Sequence, residues 1–125
     1  MNNTHLVRSP DFRMALRVCA AGLALIVAWL AFRPATEVAG GLPWDKGNHA
    51  LAFMVLTVLT GLGWPRLSST SLLLIMVVAG VAIELVQGLP VIGRDVDVLD
   101  VVADVAGTLL GLLFIALASR YPPEH

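Results

Sequence analysis

The sequence predicts an all-α fold, a polytopic membrane protein built as a four-transmembrane-helix bundle, and three observations predict it. Of its 125 residues 58% are hydrophobic and only 14% charged, against about 25% charge in soluble domains, and the mean hydropathy is +0.84. The apolar residues gather in four runs, each close to the roughly 20 residues that cross a bilayer. Short segments of Gly, Pro, Ser and Arg separate the runs, and these residues stop helices. The whole chain, 1–125, reads as one membrane domain.

The first span is expected over 14–32, stopped by Arg33-Pro34. Arg8, Arg13 and Arg17 ahead of a core from Val18 to Phe32, with Val38 and Gly40 beyond, also suit a cleaved leader, but the length of the run and the position of Arg33 favour a retained helix. Cys19, the only cysteine, lies in this run and is read as a packing residue, so no disulfide framework is expected. The second span, 45–64, opens on Asp45 and ends at Trp64-Pro65; the third, 70–89, ends at Gly88 and Pro90 and carries Glu84 and Gln87 in its last turns. The fourth, 97–119, ends at Arg120 and Pro122-Pro123. Within it Gly107 and Gly111 form a G-x-x-x-G pattern, which lets another helix, here expected from the same chain, approach closely.

Lys and Arg in short loops set orientation. With the N-terminus inside, Arg8, Arg13, Arg17, Arg66 and Arg120 lie on the inner side and Arg33, Lys46 and Arg94 on the outer. Both termini are therefore expected in the cytoplasm. Trp29 and Trp44 would anchor the outer boundary, Trp64 and Tyr121 the inner one. The net charge is −1, which suggests no nucleic-acid partner.

Alternation of four spans puts the first and third loops on one side, where most of the unusual residues sit. Asp45 and His49, four apart, share a helix face, with Lys46 beside them. Gly80, Glu84 and Gln87 make a stripe on the third span, and Asp97, Asp100, Asp104, Gly107 and Gly111 one on the fourth. Glu84 and Asp104 lie a turn or more inside apolar sequence, where an ionisable group costs at least about 2.5 kcal/mol and normally faces a polar cavity or a partner. The three stripes are expected to line one cavity. Asp95 and Lys46 read equally well as solvated charges. The structural alternative has Arg94 or Lys46 pairing the carboxylates and Gln87 bonding across helices.

Asp45, Glu84, Asp95, Asp97, Asp100 and Asp104 face only Lys46 and Arg94. Such an excess calls for shared protons or a divalent cation, magnesium, manganese or calcium on oxygens, or zinc if His49 joins. No spacing here is diagnostic of a metal, and phosphate-loop, H-E-x-x-H and G-x-S-x-G motifs are absent.

The order D-K-x-x-H (Asp45, Lys46, His49), I-E-x-x-Q (Ile83, Glu84, Gln87), Arg94 and D-x-x-A-D-x-x-G (Asp100, Ala103, Asp104, Gly107) resembles the VanZ-like family of small bacterial membrane proteins, over about 44–113. Much of that family has Asn where Asp104 stands. The resemblance implies a protein of the bacterial cytoplasmic membrane, and the family's namesake is associated with resistance to the glycopeptide antibiotic teicoplanin. It implies no particular reaction.

Two classes of function are expected. In the first, an enzyme acts on an envelope lipid or lipid-linked intermediate at the outer leaflet: His49, oriented by Asp45, transfers a proton, Glu84 and Asp104 form a second carboxylate pair, and the reaction is hydrolysis of a phosphate or acyl group. Lys46 and Arg94 would hold an anionic head group, with Gln87 and Asp100 completing the binding site. In the second, the same residues bind or flip a lipid or glycopeptide without bond chemistry. Transport by four short spans would call for an oligomer.

Overall fold

In the computed structural model of the chain, residues 9–33 and 45–120 are described, with all their side chains except those of Asp45, Lys46 and Arg120. Four helices account for almost all of them: α1 Pro10–Ala31, α2 Asp45–Gly63, α3 Ser69–Gln87 and α4 Val98–Arg120. No strand occurs among the described residues. Trp44 and Tyr121, expected as boundary anchors, lie outside them.

The helix ends follow local capping chemistry. α1 starts earlier than its apolar run because Ser9 caps it: the hydroxyl accepts the Phe12 N–H at 3.2 Å, Pro10 fills the first helical position and Asp11 the first turn. Such groups satisfy or complement the orphan N–H donors of a helix start. Ser68 caps α3 in the same way through the Ser71 N–H at 3.1 Å. α3 stops at Gln87, short of the expected 89, because Gly88 closes it by donating to the Glu84 carbonyl at 3.1 Å. Asp97 caps α4, its carboxylate accepting the Leu99 N–H at 2.9 Å.

The most intimate pair is α2 with α4; α1 packs on α2 and α3 on α4, with lighter α2–α3 and α1–α3 contact. Glycines decide how close the helices come. A Cβ on Gly107 would run into the backbone of Ala50, and one on Gly111 would lie 2.8 Å from Thr57 Cβ and 2.9 Å from the Met54 carbonyl oxygen. The G-x-x-x-G pattern therefore receives α2 of the same chain, as expected. Residue 50 against 107 and 61 against 115 make α2 and α4 parallel, while Gly80 against Asp104 together with Glu84 against Asp97 makes α3 antiparallel to α4. The alternation collects the start of α2, the end of α3 and the start of α4 at one end of the bundle, the acidic end. Arg13, Arg17, Trp64 and Ser69 mark the other, the arginine end.

The surface is apolar and the interior partly polar. Val18, Leu25, Trp29, Val78, Leu85, Val102 and Phe114 are each more than half exposed, whereas Thr57, Glu84, Gln87, Asp100, Asp104 and Thr108 are buried. That inversion suits hydrocarbon solvent. α1, α3 and α4 are long and apolar enough to cross a membrane, and α2 carries a shorter apolar stretch, Gly47–Gly63. The chain is thus an all-α membrane protein whose helices form a four-helix bundle. Phe53, Leu56, Leu72 and Met76 make its apolar core, flanked by Leu23, Val27, Leu112 and Ile115. Since lipid is as apolar as that core, close packing and interhelical hydrogen bonds hold the helices together more than transfer from water does. Cys19 is exposed on α1 rather than packed.

Candidate functional site at the acidic end

α2 brings His49 to the acidic end one turn inside its start, on the face that meets α4. There Nδ1 lies 2.9 Å from Oδ1 of Asp104, whose side chain is 1% exposed against 16% for His49. Asp104 reaches this position because Gly80 leaves room: its Oδ2 would sit 2.9 Å from a Cβ at residue 80. Thr108, one turn on, turns its hydroxyl to the Asp104 carbonyl at 2.9 Å, and Thr57 does the same to Phe53 at 2.6 Å. Both hydroxyls are therefore satisfied within their own helices.

Glu84 lies one turn beyond Gly80 along α3, buried, and its Oε2 accepts the backbone N–H of Asp97 at 3.0 Å. Its carboxyl group adjoins that of Asp100 within hydrogen-bonding reach and lies in the electrostatic range of His49. Two carboxyl groups in contact hold together when a proton or a cation lies between them. The other oxygens of these acids, Glu84 Oε1 and Asp104 Oδ2, are buried and meet no hydrogen-bond donor among the described residues. Such atoms are uncommon and each calls for a reason.

The carboxylates thus pair differently from the sequence expectation. Glu84 meets Asp100 and Asp97, and Asp104 meets His49, instead of Glu84 pairing with Asp104. His49 is met by Asp104 from the neighbouring helix; the Asp45 side chain expected to orient it lies outside the described structure, as does that of Lys46. Asp95 is exposed, as the solvated reading has it.

Gln87 and Arg94 both bond to the end of α1. The buried amide of Gln87 donates to the Ala31 carbonyl at 3.0 Å, and the Arg94 guanidinium to the Leu30 carbonyl at 3.3 Å. The Arg94 N–H also closes on the Gln87 carbonyl at 3.0 Å. Both side chains satisfy the orphan carbonyls at the end of α1. The cross-helix bond foreseen for Gln87 is therefore present, whereas Arg94, foreseen to pair with the carboxylates, bonds α1 and makes no ion pair with a carboxylate among the described residues.

Four of the expected residues, His49, Glu84, Asp100 and Asp104, form one contiguous cluster, and two others brace α1 beside it. Among the described residues, no three His, Cys, Asp or Glu side chains are arranged to hold a metal ion. Sequence reading missed two things. Asp97, counted there only as one of the acids, donates its backbone N–H to Glu84, a contact signalled only by its position as an N-cap three residues before Asp100. Arg17, at the opposite end, bonds the Gly63 carbonyl at 2.7 Å and lies over the Trp64 ring at 5.3 Å.

No family model, curated protein or solved structure matches the chain.

Proposed function

We propose that the chain is a VanZ-like, multi-pass protein of the bacterial cytoplasmic membrane, with both termini in the cytoplasm and the acidic end at the outer face. On this reading it hydrolyses a phosphate or acyl linkage of an envelope lipid or lipid-linked intermediate. The observation that carries it is the contact of His49 Nδ1 with a fully buried carboxylate, Asp104, at 2.9 Å. A carboxylate on one ring nitrogen fixes the tautomer, holds the ring and stabilises the imidazolium that forms when Nε2 takes a proton. His49 would remove a proton from water as the oxygen attacks phosphorus or carbonyl carbon, then return it to the departing oxygen. Arg94, with guanidinium N–H groups beyond the one given to Leu30, and Lys46 would draw an anionic head group to the rim.

A second reading, a non-catalytic binder of a lipid or glycopeptide, is favoured by a different observation. Glu84, Asp97 and Asp100 crowd the N-terminus of α4, where the helix dipole and free N–H groups stabilise negative charge. Gln87 and Arg94 close the C-terminus of α1. Much of the constellation therefore has structural employment.

The deciding experiment incubates wild-type protein in nanodiscs with a total bacterial envelope-lipid extract and follows lipid species by mass spectrometry. A lipid consumed by wild type and spared by a normally folded His49→Ala protein supports hydrolysis. Binding with no species consumed favours the second reading. Reporter fusions after Arg66 and after His125 test the orientation: both should report cytoplasm, and two periplasmic signals would reverse it.

A further inference from the structure

At the arginine end a cavity of about 390 Å³ opens between the helices, lined by Arg13, Leu62, Ser69, Leu72, Leu112 and Ile115 among others. That volume lies within the roughly 300–1,000 Å³ of small-molecule sites. Its floor, Leu72, is 2% exposed, while Ser69 and Pro65 at the rim are exposed. The walls are mostly apolar; Arg13 supplies the cation and Ser69 a hydroxyl. α3 begins at Ser69 with no acidic residue in its first turn, so beside the cavity the positive end of its dipole is offset by the neutral Ser68 cap but by no negative charge. Arg17 and Arg66 lie at the same end, where Asp11 is the acid among the described residues. A site with one charged corner and a long apolar wall fits an amphiphile.

We propose that this cavity binds an anionic phospholipid, its phosphate against Arg13 and the start of α3 and one acyl chain along Leu72, Leu112 and Ile115. A free phosphate would leave that wall uncovered, and a zwitterionic lipid would add a second cation to an end already rich in arginine. Basic pockets between spans recognise acidic head groups in this way. The proposal is independent of any reaction at the acidic end.

The full chain, purified in neutral detergent, is titrated with dioctanoyl phosphatidylglycerol, dioctanoyl phosphatidylcholine and inorganic phosphate, and the rise in thermal midpoint is followed. Phosphatidylglycerol should bind about tenfold more tightly than phosphatidylcholine, the worth of about one charge-assisted hydrogen bond, and phosphate should produce no rise. Arg13→Gln should weaken phosphatidylglycerol about tenfold, with Arg66→Gln, outside the cavity, leaving it within about twofold. Ser69→Glu, an acid where a helix start favours one, should fold normally and abolish phosphatidylglycerol binding while sparing phosphatidylcholine. If Arg13→Gln does not fold, the wild-type comparison and Ser69→Glu decide. Equal binding of the two lipids, an equal effect of phosphate alone, or undiminished phosphatidylglycerol binding to folded Arg13→Gln or Ser69→Glu overturns the proposal.

Discussion

Glu84, at the start of the last turn of α3, accepts the backbone N–H of Asp97, the residue that caps α4, at 3.0 Å. In a capping box that bond is made by the helix's own third residue, a Glu or Gln. Here the third residue is Asp100, one methylene shorter, and a neighbouring helix supplies the acceptor. The arrangement locks the 88–97 connection to the bundle.

It follows that the charge of Glu84 matters less to the fold than its oxygen. Glu84→Gln keeps an acceptor for Asp97 and puts an amide donor beside the Asp100 carboxyl, so the thermal midpoint in detergent should hold or rise. Glu84→Ala strands the Asp97 N–H and should cost about 1–3 kcal/mol. Both melts are run with chelator, so that a bound cation does not enter the comparison. A fall in Glu84→Gln as large as in Glu84→Ala would show that the negative charge itself is a structural partner.

The α2–α4 seam predicts a contrast between two glycines. Gly107→Ala drives a methyl into the Ala50 backbone and should destabilise by about 1–3 kcal/mol or more, because backbone cannot move aside as a side chain can. Gly22→Ala, with nothing within 4 Å of the new methyl, should be neutral or stabilising by up to about 1 kcal/mol. Equal midpoints for the two proteins would contradict the observed helix approach.

For Asp104 the informative change is to Asn, the residue expected from the family resemblance. The amide introduced by Asp104→Asn would still accept from His49 through its carbonyl oxygen, so stability should change by less than about 1 kcal/mol, whereas Asp104→Ala leaves a ring nitrogen without this acceptor and should cost about 1–3 kcal/mol. Loss of activity in a stable Asp104→Asn protein would locate the function in the charge of the His49–Asp104 pair.

Gln87 separates bracing from binding. Gln87→Glu replaces the donor to the Ala31 carbonyl by an acceptor and should speed hydrogen exchange at the end of α1, while α3 and α4 keep their protection. Gln87→Ala should do so less, at about 1–2 kcal/mol. Unchanged exchange at 28–32 in both proteins would remove the structural role assigned here.

The existence and order of the helices were legible because their apolar runs are long and punctuated by Pro, Gly and Arg. The start of α1 was not, since Ser9, Pro10 and Asp11 announce a helix by capping rather than by hydrophobicity. Helical phase correctly turned Glu84, Asp100 and Asp104 inward. It could not say which acid meets which partner, because that depends on how far α3 is displaced along α4. The displacement is set by the 88–97 connection, through the Arg94 N–H to the Gln87 carbonyl and the Asp97 N–H to Glu84. One turn of difference exchanges Asp104 for Asp100 opposite Glu84. The bond of Arg94 to α1 was hidden for a related reason: its charge is visible in sequence, but the carbonyls at the end of α1 that accept from it are not.

α1 is fastened at its two ends to groups made after it. Its Arg17 holds the Gly63 carbonyl, and its last carbonyls are held by Gln87 and Arg94. The two fastenings therefore become possible at different times as the chain is made. When 64 residues have been made, only the Arg17 fastening has a partner; the other waits until the end of α3 and the turn after it have been synthesised. In the interval α1 has α2 to pack on, but the Leu30 and Ala31 carbonyls lack the donors that hold them in the finished bundle. The end of α1 is accordingly closed only after α3 has been made, and the α2–α4 seam only after α4.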